Sequence, residues 1–221
     1  MTIRVPYTPL PIDQTDVVYE HGPASMPRHD VRRGVTTDFT ITDSAVFPGT
    51  ERTVWVHRPS ARSGEALPVM IFQDGWWYLD PEDDVRAAVV LDNLIDDPEA
   101  RGLCGGSSGG NCGLTAAWHR PDAFRKVIAL VSSFAQIPGG NPYPHLLTST
   151  PRKPLRIFLQ ENHRDLGWND AEDNWLAENL RTAAAFAESG YDFHFVLGEG
   201  EHTVNYGGVL LPDALRWLWR D

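Results

Sequence analysis

Cysteine is scarce in this sequence: its 221 residues contain two, Cys104 and Cys112. Both flank a Gly/Ser-rich turn, so a disulfide between them would have to span a strained loop with unfavourable geometry. We therefore predict two buried free thiols, which indicates a reducing compartment. The chain also lacks an apolar run long enough to cross a membrane, and residues 1–6 lack a secretory signal pattern. These absences together predict a cytoplasmic protein.

Positive charge is the second shortage. Nineteen Lys and Arg residues face 30 Asp and Glu residues, which gives a formal net charge of −11. That balance argues against nucleic acid or an anionic membrane as the main partner and leaves neutral or cationic small molecules. Phosphate-binding motifs are missing too, because no Lys follows Gly110 and no two glycines of the turn are spaced as in a dinucleotide fingerprint.

The order of hydrophobic patterns predicts an α/β fold. Residues 1–34 are rich in proline and read as an extended arm, followed by a domain over 35–221. Two alternating segments, 36–42 and 52–59, predict an antiparallel hairpin at a sheet edge. The apolar run 68–74 predicts a strand covered on both faces. Strands and helices then alternate to the end of the chain, which predicts a mostly parallel sheet between two layers of helices.

The Gly-rich turn itself contains the pattern Gly-x-Ser-x-Gly. In α/β-hydrolases such a turn carries a nucleophilic serine between a strand and a helix, and the glycines let the backbone close tightly. Two registers fit, with either Ser107 or Ser108 as the central residue. We favour Ser107, because the pair Gly109–Gly110 then opens the following helix. A flexible linker has a similar composition, but a linker needs neither the apolar Leu103-Cys104 before it nor the helical spacing after it.

Candidates for the rest of a catalytic triad follow in the order typical of this fold, which is serine, acid, histidine. His202 lies in a Gly-flanked loop after the last predicted strand. The loop 160–173 contains the acid candidates, which are Glu161, Asp165, Asp170 and Asp173. Because the carboxyl ends of parallel strands meet at one edge of a sheet, we expect these groups to converge there.

An oxyanion hole needs two backbone N–H donors. Ser108, directly after the nucleophile, would supply one. Trp76, beside the flexible Gly75, would supply the other. Three consecutive aromatic residues, Trp76, Trp77 and Tyr78, could also form a pocket for a ring-bearing acyl group. We therefore count Gly75, Trp77 and Tyr78 as candidate substrate contacts.

Several segments together resemble the enterochelin esterase family, namely residues 54–59, 72–76, 105–110, 158–161 and 198–202. The resemblance covers most of residues 19–220. It implies an α/β-hydrolase fold and a serine esterase that needs no metal or cofactor and acts on a small-molecule ester. By position in the family motifs, it implies Ser107 as nucleophile, His202 as base and Asp165 as acid.

One departure from that family lies between about Ile95 and Asp97, where the family carries a further strand and a long helix. The resemblance implies that this strand lies between the hairpin and strand 68–74, so the sheet is expected to be one βα unit short, and either the hairpin closes up against strand 68–74 or the sheet has a gap there. We predict that residues 52–58 pair directly with 68–74. Alternatively, the free edge would recruit another copy and form a homo-oligomer.

The sequence leaves three functions open. The first is hydrolysis of a carboxylic ester, which the intact Ser–acid–His order favours. The second is a non-catalytic binding protein with the hydrolase fold, which the missing segment favours. The third is acyl transfer to another alcohol by the same residues.

Overall fold

A computed structural model describes residues 17–60, 69–94 and 102–220. Seven strands occur in these ranges: β1 (Val35–Ile41), β2 (Arg52–Arg58), β3 (Met70–Phe72), β4 (Gly102–Gly106), β5 (Lys126–Leu130), β6 (Arg156–Asn162) and β7 (Asp192–Gly198). Five α-helices accompany them: α1 (Ala87–Asn93), α2 (Ser108–His119), α3 (Tyr143–Ser149), α4 (Trp175–Glu188) and α5 (Asn205–Leu218). None of the helices in these ranges has the length and apolar character needed to cross a bilayer.

Strands β3 to β7 form one sheet in the order β3-β4-β5-β6-β7, and every neighbouring pair is parallel. The register brings Gly106, Leu130, Gln160 and Val196 into one line across the sheet. The loops that follow β4, β6 and β7 therefore leave the sheet from the same edge. These are the loops that contain Ser107, Asp165 and His202.

Two apolar clusters cover the two faces of this sheet. Side chains of α2, α3 and α4, including Leu114, Leu147 and Phe186, pack with inward residues of β5 and β6 in the first cluster. Side chains of α1 and α5, including Val90 and Leu211, form the second cluster. The result is the three-layer αβα fold with a mostly parallel sheet that the sequence predicts.

The antiparallel hairpin is present, but the prediction that residues 52–58 pair with residues 68–74 is wrong. Strands β1 and β2 pair with each other from Val35↔Arg58 to Ile41↔Arg52 and form a separate two-stranded sheet. Asp92 of α1 ties this hairpin to the domain, because its carboxylate lies 3.0 Å from His57 Nε2 and accepts the Gly34 N–H. The hairpin is thus held through side chains rather than by a ladder to β3. The departure from the family, between Ile95 and Asp97, lies outside the described residues.

Two further sequence expectations need correction. The run 68–74 yields the three-residue strand β3, and Ile71 is 39% exposed because β3 has a strand partner on one edge only and no described helix covers that side chain. Both cysteines are free thiols, but Cys104 is buried whereas Cys112 is exposed. Cys112 lies on the outward side of α2, whereas its neighbour Gly113 faces Leu103 of β4 and Val127 of β5.

Residues 17–34, the described part of the predicted arm, pack against the domain. Tyr19 stacks on Tyr206 with ring centroids 3.9 Å apart, and its hydroxyl accepts the Glu199 N–H at 2.7 Å. Asn93 of α1 donates to the carbonyls of Ala24 and Met26.

Candidate active site

Ser107 occupies the sharp turn between β4 and α2. Its φ of 55° and ψ of −122° lie in a region that a residue with a side chain rarely adopts. Two backbone hydrogen bonds hold this conformation: the Ser107 N–H donates to Leu130 O at 2.9 Å, and Ser107 O accepts the Ser133 N–H at 3.1 Å. A strained residue persists only where its surroundings fix it, and such residues concentrate at active sites.

The glycines around Ser107 are required by close approaches. A Cβ on Gly105 would lie 2.3 Å from the backbone carbon of Gly109, so the two ends of the turn nearly touch. A Cβ on Gly106 would lie 2.4 Å from Val204 Cγ1. Val204 is two residues after His202, so this contact places the histidine loop directly against the turn.

Asp165 and His202 are in direct contact at this edge of the sheet. Asp165 Oδ1 lies 2.6 Å from His202 Nδ1 and also accepts the Leu166 N–H at 2.6 Å. The Asp165 side chain is fully buried, whereas a quarter of the His202 side chain remains exposed. Trp175 packs edge-on against the His202 ring, with centroids 4.7 Å apart. The ring is therefore fixed from two sides and keeps Nε2 for another partner.

The other acid candidates have different partners. Glu161 is buried, and its Oε1 accepts the Asn162 N–H at 2.8 Å. Asp170 accepts backbone N–H groups of its own loop. Asp173 accepts both hydrogen bonds of the Gln136 amide, at 2.7 and 2.8 Å. Of the four carboxylates, Asp165 is the one in contact with His202.

Asn162, at the end of β6, is a residue that the sequence analysis missed. Its Nδ2 donates to Glu201 O at 2.7 Å and to Thr203 O at 3.2 Å, the carbonyls on either side of His202. Its Oδ1 accepts from the buried Gln160 amide at 2.8 Å. Two backbone bonds, from His163 N to Gly198 O and from Arg164 N to Gly200 O, join the same two loops. The histidine loop is thus fastened to the acid loop along its length.

The predicted oxyanion donors lie on adjacent segments. The Gln73 N–H donates to Cys104 O at 2.9 Å, and a Cβ on Gly109 would lie 2.9 Å from Gln73 Cβ. The loop that leads through Gly75 to Trp76 is therefore packed against the Ser107 turn. Within the described ranges, no carbonyl accepts the N–H of Trp76 or of Ser108. Both groups remain available to an oxygen of a ligand.

The three aromatic residues of that loop take two different positions. Trp76 and Trp77 are 56% and 52% exposed, with ring centroids 4.7 Å apart. Tyr78 is 4% exposed, and its hydroxyl accepts the Gly106 N–H at 3.1 Å. Tyr78 therefore supports the end of β4, and its prediction as a substrate contact needs correction, because its ring is buried and its hydroxyl is occupied.

Ser107 Oγ makes no hydrogen bond within the described part of the chain, so the contact between serine and histidine is open in this conformation. Such contacts are commonly long in enzymes without a bound substrate. A cavity of about 170 Å³ lies elsewhere, between the hairpin and α1, where it is lined by Arg33, His57 and Asp92 among others. The described ranges hold no group of three or more potential metal ligands.

Comparisons with solved structures support this fold. The ferric enterobactin esterase of Salmonella typhimurium superposes with a TM-score of 0.66 at 16% identity, over 84% of this chain and 58% of that chain. A fluorophosphonate-binding serine hydrolase of Staphylococcus aureus superposes with a TM-score of 0.63 at 11% identity, over 86% of this chain and 100% of that chain. A ferulic acid esterase superposes with a TM-score of 0.60 at 13% identity, over 86% of this chain and 99% of that chain.

These likenesses establish the α/β-hydrolase fold that the sequence resemblance implies. No protein-family model matches the sequence, and no curated protein does either.

Proposed function

We propose that the protein is a serine esterase that hydrolyses a carboxylic ester through an acyl-enzyme, similar in action to the enterochelin esterases. The observation that carries the proposal is the 2.6 Å contact between buried Asp165 and His202, in a loop packed against the strained Ser107 turn. The esterases among the structural neighbours support the same reaction class. The geometry of these three residues favours catalysis over a purely binding role, which would not require a histidine held by a buried acid.

The reaction would begin when Ser107 Oγ attacks the ester carbonyl while His202 Nε2 takes the hydroxyl proton. Asp165 holds the Nδ1–H tautomer and stabilises the imidazolium that forms. The N–H groups of Trp76 and Ser108 would receive the negative oxygen of the tetrahedral intermediate. The intermediate then expels the alcohol, which takes the proton from His202. Water then attacks the acyl carbonyl while His202 Nε2 takes its proton, and the second tetrahedral intermediate breaks its bond to Ser107 Oγ, which recovers the proton from His202 as the carboxylic acid leaves.

The substrate would be a small ester with a ring in its acyl part. Trp76 and Trp77 together present two exposed indole rings next to the proposed oxyanion donor. Exposed aromatic rings offer a face on which a planar group stacks, worth about 0.5–1.5 kcal/mol beyond area burial. We expect p-nitrophenyl benzoate to give a higher kcat/KM than p-nitrophenyl acetate. Trp76→Ala should lower kcat/KM for the benzoate by a larger factor than kcat/KM for the acetate.

The nucleophile is tested by labelling with a fluorophosphonate probe, followed by intact mass and peptide mapping, beside assays with p-nitrophenyl acetate and butyrate. We expect the adduct on Ser107, no turnover in Ser107→Ala, and most of the activity retained in Ser108→Ala. An adduct on Ser108 would move the elbow by one residue. The absence of both labelling and turnover would instead favour the non-catalytic binding protein.

A further inference from the structure

Glu161 is a buried carboxyl that the proposed mechanism does not use. It lies at the end of β6 between two other fully buried polar residues, Gln160 and Asn162. Its register neighbour in β7 is the apolar Leu197. Burying an ionised carboxylate without a cation is so costly that the group normally takes up a proton instead. The question is whether a neighbouring acceptor is placed to receive that proton in a hydrogen bond.

The Asp165 carboxyl is placed in that way. Its Oδ1 already accepts two hydrogen bonds, from His202 Nδ1 and from the Leu166 N–H. Its Oδ2 is buried and has no partner within the described ranges, and the same holds for Glu161 Oε2. The two carboxyl groups lie within hydrogen-bonding reach of each other. Two bare oxygens there would repel, whereas a single proton between them satisfies both.

The surroundings decide which group keeps the proton. Asp165 Oδ1 accepts two hydrogen bonds, one from His202 Nδ1 and one from the Leu166 N–H. Glu161 receives one backbone N–H, from Asn162, and its charged neighbour is Asp165 itself. Burial, and then the hydrogen bond and the charge of Asp165, raise the pKa of Glu161 well above its ordinary value.

We propose that Glu161 is held as a neutral acid, whose Oε2–H donates to Asp165 Oδ2 and so fixes the Asp165 carboxylate against His202. Glu161 is then a positioning residue, and its catalytic consequence rests on the proposed esterase function. Because Glu161 is neutral, the pair of carboxyl groups carries one negative charge, that of Asp165, next to the His202 imidazole. Both Asp165 oxygens are then occupied, so the carboxylate cannot turn away from His202.

Two substitutions separate this role from a charged one. In Glu161→Gln, the amide oxygen can accept the Asn162 N–H while the NH₂ donates to Asp165 Oδ2, so we expect kcat within about twofold of the wild type and an unchanged acidic limb of the pH–rate profile. In Glu161→Leu, Asp165 Oδ2 loses its donor, and we expect kcat to fall on the order of tenfold to a hundredfold with little change in KM. A Glu161→Gln variant as impaired as Glu161→Leu, or one with a shifted acidic limb, would overturn the proposal.

The proton itself is tested without any turnover. Infrared spectra at neutral pH should show the C=O stretch of a protonated carboxylic acid in the wild type, and Glu161→Gln should lack it. The wild type should also lose unfolding free energy relative to Glu161→Gln as pH rises from about 4.3, where an unfolded Glu ionises. This loss should continue up to the raised pKa of Glu161 in the folded protein. If the band is missing, Glu161 is ionised and the proposal is wrong, even if Ser107 is labelled. If the band is present but Ser107 is not labelled, the protonated acid stands and the esterase function falls.

Discussion

At the scale of single residues, the amide of Asn162 decides how His202 is presented. Its two hydrogen bonds to Glu201 O and Thr203 O bracket the histidine on both sides. We expect Asn162→Ala to lower kcat by about tenfold or more, and to lower the free energy of unfolding by about 1–3 kcal/mol, because two carbonyls lose their donor and the buried Gln160 amide loses its acceptor. Steady-state kinetics and urea unfolding would measure both effects. The exposed loop residue Asn169 provides the control, since Asn169→Ala should change neither.

A second prediction at this scale concerns the acid. Asp165→Asn should lower kcat by up to roughly 10⁴-fold, because an amide in place of the carboxylate favours the wrong imidazole tautomer. Asp173→Asn is the matched control, since that carboxylate is bound to Gln136 and should leave kcat nearly unchanged. Steady-state kinetics on purified variants that share the wild-type circular dichroism spectrum would compare them. Equal and small effects from both would point to a Ser–His pair that works without an acid.

How far sequence predicts this site differs from residue to residue. Ser107 and His202 follow from chain order, because each lies in a Gly-flanked loop after a strand. The loop 160–173 offered four carboxylates, and spacing alone could not select among them. The role of Asn162 depends on how the loops after β6 and β7 fold over each other, and a single sequence gives no signal for its contacts with residues 39 and 41 positions away. The role of Glu161 depends on its burial beside Asp165, which the spacing of the two residues does not reveal.

At the scale of elements, the turn between β4 and α2 depends on backbone contact that a side chain would block. Gly105→Ala would place a Cβ 2.3 Å from the Gly109 backbone. Since backbone rather than a flexible side chain stands in the way, we expect the free energy of unfolding to fall by about 1–3 kcal/mol or more. Gly22→Ala is the control, because nothing lies within 4 Å of its added Cβ. A Gly105→Ala midpoint in urea equal to that of wild type would contradict this close approach.

Element types were predicted well, and their lengths less so. The strand–helix alternation and the amphipathic α4 follow from periodicity, and Gly190, with φ of +66°, comes directly after Ser189, the C-cap of α4. The apolar run 68–74 gives only three strand residues, because a ladder forms where a partner exists and β3 has one on a single side. Apolar residues at helical spacing over 83–95 predict a helix there, but α1 begins at Ala87, because Arg86 before it adopts a left-handed conformation.

At the scale of the whole molecule, the unpaired edge of β3 predicts association between copies. Val69 and Ile71 are half exposed there, and no described strand covers the edge. Free apolar edges of this kind favour pairing with another chain. We expect a concentration-dependent increase in mass by sedimentation velocity, which Ile71→Lys should reduce. Leu180→Lys is the control. Leu180 is similarly exposed, but it lies on α4, which packs on β6 and β7 at the opposite end of the sheet from β3. A protein that stays monomeric at all concentrations would exclude this association.

The contact between Tyr19 and Glu199 has a consequence for the order of folding. It joins positions 180 residues apart, next to the loop that carries His202. Forming so distant a contact requires closure of nearly the whole chain, and non-local contacts of this kind slow folding. During refolding from urea, recovery of catalytic competence should therefore lag behind recovery of the far-ultraviolet circular dichroism. Tyr19→Ala, which removes the phenol from this junction, should lengthen that lag without altering the earlier phase.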